Sequence, residues 1–81
     1  MKKIDKVRAA SIRRSLFVAK QAAWDLRWKL DKNLGRISKL ESSSLRDAPY
    51  VDAFVAWEKV KEVEEYINKA IAGLVPKEVT Q

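Results

Sequence analysis

The chain has no cysteine and no histidine, and in 81 residues it holds only two glycines and two prolines. Without cysteine there can be neither a disulfide nor a thiolate metal site. Without histidine the commonest general base and the commonest zinc ligand are missing. Gly35 and Gly73 stand alone, so no glycine-rich loop can cradle a phosphate. The apolar run after the basic N-terminus, SLFVA, is broken at Lys20, too short for a secretory signal or a bilayer span. A cytoplasmic location is the default expectation, although the Arg- and Ser-containing, acid-poor start also has the composition of an organellar presequence. Ser42, Ser43 and Ser44 have no base to activate them and read as turn residues. Glu58, Glu62 and Glu65 share a helix face beside lysines, as a solvated, ion-paired surface does. These absences predict a non-enzyme with no cofactor, no metal and no small-molecule substrate.

What is present is charge, unevenly placed. Residues 1–40 carry twelve Lys or Arg against Asp5, Asp25 and Asp31, a balance of +9, whereas residues 41–81 carry five against eight acids, a balance of −3. The two halves attract each other.

Each half also carries an apolar stripe at helical spacing. The first runs Ile12, Leu16, Ala19, Ala23, Leu26, Leu30, Leu34, Ile37, and the second Ala53, Ala56, Val60, Val63, Ile67, Ala70, Leu74. Steps of three and four residues make both resemble a coiled-coil seam. Because the first stripe continues to Ile37 and Leu40, Gly35 reads as a weak point within a long helix, with a helix end there as the alternative. The polar run ESSSLRDAP separates the stripes. Ser44 and Asp47 approximate a capping box, and Pro49 suits the first turn of a new helix. The expected plan is helix 1 to about residue 41, a turn over about 42–48, and helix 2 over about 49–74. Residues 76–81 form a tail.

If the helices fold back antiparallel, positions whose numbers sum to about 90 become neighbours. The stripes, the second widened by Ile71, obey this rule: Ile37 meets Ala53, Leu34 meets Ala56, Leu30 meets Val60, Leu26 meets Val63, Ala23 meets Ile67, Ala19 meets Ile71, and Leu16 meets Leu74. The predicted fold is all-α, an antiparallel, coiled-coil-like two-helix hairpin spanning residues 16–75, with residues 1–15 as a basic N-terminal arm or helix overhang.

The aromatic residues make a second stripe. Phe17, Trp24 and Trp28 lie about 115° to 155° around helix 1 from its apolar line, and Tyr50, Phe54 and Trp57 lie about 85° to 145° around helix 2 in the same sense. Equal offsets on antiparallel helices project from the same side, so these six residues predict one broad apolar face that two helices cannot bury between them. The first expectation is a homodimer, a four-helix bundle closed through the aromatic faces. A protein partner's surface comes second, and a membrane interface is the least favoured.

The basic residues suggest the function. Lys2, Lys3, Lys6, Arg8, Arg13 and Arg14 precede the paired region, and Lys20 and Arg27 continue the line Lys6, Arg13 at intervals of seven. Such charge can neutralise phosphates without reading bases, which predicts sequence-tolerant, salt-sensitive nucleic-acid binding through Lys2, Lys3, Lys6, Arg8, Arg13, Arg14 and Lys20. The same charges fit an acidic protein surface. Arg27 is expected to pair with Glu64 across the flank of the seam. The alternative function is a small protein-binding modulator or inhibitor, of the kind phages and plasmids encode as accessory proteins, docking through its aromatic and basic face.

Overall fold

A computed structural model describes residues 3–75, with side chains from residue 4. It consists of two helices, α1 (Lys3–Ser38) and α2 (Ser43–Gly73), packed against each other as a hairpin. At 1.5 Å per residue α1 is about 54 Å long, and the molecule measures 64 × 20 × 14 Å. Its radius of gyration is 18.8 Å, against about 12 Å for a compact chain of this length. The hairpin is a plank one helix thick. Lys2 and the tail at 76–81 lie outside the described residues, as does the side chain of Lys3. From Lys3 onward, the segment read as an arm or overhang is the opening of α1 itself.

The turn is tighter and earlier than the sequence suggested. Helix α1 stops at Ser38, and α2 starts at Ser43 instead of near Pro49. Ser42 takes an extended conformation as N-cap, and its carbonyl receives the amides of Leu45 at 3.1 Å and Arg46 at 3.0 Å, which winds the first turn. The Arg46 guanidinium reaches back to the Leu40 carbonyl at 3.2 Å and ties the two helix ends together. Pro49 consequently sits inside α2. Its ring removes the amide that would have bonded Leu45, but Leu45 is exposed, so water can serve that carbonyl. Gly35 lies within unbroken helix, with ordinary negative φ and open space where a Cβ would stand.

The seam also differs from expectation, and here the difference has consequences for function. The less exposed residues of α1 follow Ala9, Arg13, Leu16, Lys20, Ala23, Arg27, Leu30, Leu34, Ile37, in alternating steps of four and three. Those of α2 follow Ala53, Trp57, Val60, Glu64, Ile67, Ile71, Leu74, with Ala56 also partly buried beside Trp57. Each helix is therefore turned by about 50° from the orientation the aliphatic stripes alone would choose. Arg13, Lys20 and Arg27 replace Ile12, Ala19 and Leu26 in the seam; on α2 Trp57 joins Ala56, Glu64 replaces Val63, and of the expected pair Ala70 and Ile71 it is Ile71 that turns inward.

Electrostatics and aromatic packing explain the rotation. Arg27 Nε faces Glu64 Oε2 at 2.5 Å, with a second contact from the other arm of the guanidinium to Oε1 at 3.4 Å. This is the pair the sequence anticipated. Glu64 is buried, which requires such a partner close by. Arg13 donates to the Leu74 carbonyl at 2.6 Å, a charge-assisted bond at the C-terminal end of α2, where the helix dipole favours a cation. That contact, with the burial of Ala9, ties part of the expected overhang into the fold.

Candidate interaction surfaces

Because the seam runs between the two stripes, it leaves one on each side of the plank. Phe17 and Trp24 directly follow the seam residues Leu16 and Ala23, and Phe54 directly follows Ala53, so all three project from one side. Ile12, Ala19 and Leu26 directly precede seam residues, as do Ala56, Val63 and Ala70, and they project from the other. We call these the aromatic side and the aliphatic side.

On the aromatic side, Trp24 and Trp28 are stacked at 6.2 Å between ring centres, and Phe54 and Trp57 at 6.0 Å. The two pairs approach each other across the seam: Trp24, Trp28 and Trp57 line one open depression of about 250 Å³ together with Arg27 and Asp31. Trp24 and Trp28 are each 51% exposed. Cations lie over the rings, Arg27 at 6.0 Å and Lys61 at 5.6 Å from Trp57, and Lys32 at 5.7 Å from Trp28. Exposed contacts of this kind contribute about 0.5–1 kcal/mol each.

Four of the six aromatic residues named from the sequence are thus gathered. Phe17 stands farther along the same side beneath Lys20 Nζ, 5.7 Å from its ring. Tyr50 lies near the turn, where it lines a separate depression with Ser38, Arg46, Asp47 and Val51. The sequence reading missed Asp31 and Lys61, whose exposed helix positions look like ordinary solvated charge, and it missed Trp57 as a seam residue.

The basic set is dispersed. Arg13 and Lys20 are half-buried, one on the Leu74 carbonyl and the other over Phe17. Arg8 and Arg14 are exposed on opposite sides of α1, and Lys6 is exposed near its start. The intervals of seven that aligned Lys6, Arg13, Lys20 and Arg27 mark a seam position, so the line points largely at α2. Lys2 lies outside the described residues, and Lys3 contributes only backbone to them.

Glu58, Glu62 and Glu65 line an open depression with Phe54, Trp57 and Lys61. Among the described residues no group of three or more carboxylates could hold a metal ion, and no helix is long and apolar enough to cross a membrane. Compared with known protein families, with curated proteins and with solved structures, the chain has no significant match to any of them.

Proposed function

We propose that this chain is a non-enzymatic binding module, the half of a four-helix bundle, that docks onto another protein through its aromatic side. One observation carries the reading: Trp24, Trp28 and Trp57 border a single depression that Arg27, its guanidinium over the Trp57 ring, also lines. Tryptophan and arginine dominate the energetics of protein interfaces because they bury large rigid surfaces and offer directed donors. The carboxylate of Asp31 at the same rim is poorly placed for a phosphate ligand and well placed for a partner's lysine or backbone amide.

The test is affinity capture from the source cells with wild type and with the Trp24→Ala/Trp28→Ala pair. A discrete protein that wild type retains after nuclease treatment, and that the pair loses by at least tenfold, supports the reading. Retention of nucleic acid alone, or equal capture by both, contradicts it.

Nucleic-acid binding is the second reading, favoured by exposed cations along α1 and at its end. Lys6, Arg8, Arg14 and Arg36 of α1, and Lys39 just beyond it, are exposed and make no ion pair among the described residues. Charge of this kind can neutralise phosphates without reading sequence. Fluorescence anisotropy with labelled DNA and RNA at low salt should then give a signal that falls steeply as salt rises and disappears when Lys6, Arg8 and Arg14 are neutralised. No signal at any salt removes it.

A further inference from the structure

We infer that the aliphatic side, and not the aromatic side, is where a second copy of this chain docks. The inference rests on the proposed four-helix bundle and specifies which surface closes it.

Ile12, Leu26 and Val63 are 48%, 50% and 49% exposed, and the small residues Ala19 and Ala70 between them are open to solvent. With the partly buried Ala56 they form an aliphatic row in which the one charge over residues 12–26 of α1 and 56–70 of α2 is Lys59, at its edge. The row adjoins Leu16, Ala23 and Leu30 of the seam, so apolar surface is continuous across the width of the plank. Over the same ranges the equivalent positions on the aromatic side include Lys61, a charge that a bundle core would have to desolvate.

Area supports a second copy as the occupant. The chain exposes 6675 Å², whereas a compact chain of 9.3 kDa exposes about 5,000 Å². The excess of about 1,700 Å² is roughly twice what each partner contributes to a standard stable interface. It matches the larger, more apolar interfaces of obligate dimers. Alternation of Ile, Leu and Val with Ala supplies knobs and holes to the same surface, so a twofold pairing can interdigitate.

Charge then selects the arrangement. Arg8, Lys29 and Arg36 edge the aliphatic side on α1, while α2 contributes Asp52 and Lys59 to the corresponding edge. Two α1 helices side by side would set like charges against each other, so α1 of one copy lies beside α2 of its partner. The assembled bundle carries an aromatic side on each outer face, free for the docking proposed above.

The experiment is molar mass by light scattering and sedimentation across a hundredfold range of concentration, with far-UV circular dichroism on the same samples. Wild type should have about twice the mass of the 9.3 kDa chain. The pair Leu26→Glu/Val63→Glu should fall to a single chain, and Trp24→Ala/Trp28→Ala should remain paired. Should the glutamate pair lose its helicity, Ala70→Arg, a change at an exposed position outside the seam, must lower the dimer's affinity by at least tenfold with helicity retained. A one-chain mass for wild type at every concentration overturns the bundle itself. A tryptophan pair that dissociates while both aliphatic-side variants stay paired overturns the assignment of the surface and leaves the bundle standing.

Discussion

Arg27 joins two features that the sequence presents separately, the ionic seam and the aromatic depression. Its guanidinium pairs with Glu64, and it lies over the Trp57 ring. With side-chain exposures of 30% and 11%, this pair lies between surface and interior. Breaking a fully buried pair costs about 3–5 kcal/mol, and the partial exposure of Arg27 reduces that. Arg27→Ala should therefore lower stability by about 1–3 kcal/mol in urea denaturation monitored at fixed protein concentration. The tryptophans give a second check. A Trp57→Phe chain, reporting only Trp24 and Trp28, should show red-shifted emission that acrylamide quenches readily, since both rings are half-exposed. Blue-shifted emission protected from quencher would place the aromatic side in an interface between copies. The pairing of Arg27 with Glu64 was legible in the sequence because the fold-back rule brings their numbers together. That the pair would occupy the seam was not, because apolar periodicity gives a basic residue no inward weight even when an acid waits opposite.

At the scale of the helices, their existence was legible and their limits were less so. Apolar spacing fixed two long helices, but Pro49 drew the expected start of α2 six residues too late. A proline excludes helix only where its missing amide and its ring have real consequences. Here the carbonyl left without a donor belongs to exposed Leu45, and the Ser42 carbonyl had already started the helix. Two substitutions follow. Gly35→Ala should raise stability by about 0.5–1 kcal/mol, because the position is helical and nothing obstructs the added methyl group. A loss of stability there would show that α1 bends at Gly35. Pro49→Ala restores a helix amide and should raise the thermal midpoint, the gain reduced by about 0.4–1 kcal/mol through the freer unfolded chain. A lower midpoint would mean that Pro49 shapes the entry to α2.

The whole molecule has almost no interior of its own. Among the described residues only Ala9, Leu34 and Glu64 are buried, and no side chain is completely enclosed. A hairpin this thin gains little from burial and depends on what covers it. Thermal stability should accordingly rise with protein concentration, as association by mass action requires. A midpoint independent of concentration would mean that the isolated hairpin is sufficient. The sequence disclosed that two apolar surfaces exist, through two stripes at separate helical angles. It did not disclose which would be shared between the helices, because the fold-back rule is satisfied by either rotation. The ionic seam settles that by directing both helices slightly away from their aliphatic stripes.

The central claim is that this seam runs through Arg27 and Glu64, with aliphatic residues on one side and tryptophans on the other. A double-mutant cycle with Arg27→Ala and Glu64→Ala, read by urea denaturation at one protein concentration, measures it directly. The structure predicts a coupling of at least about 1 kcal/mol between the two positions. Additive effects, with coupling near zero, would place the two side chains apart and contradict the arrangement.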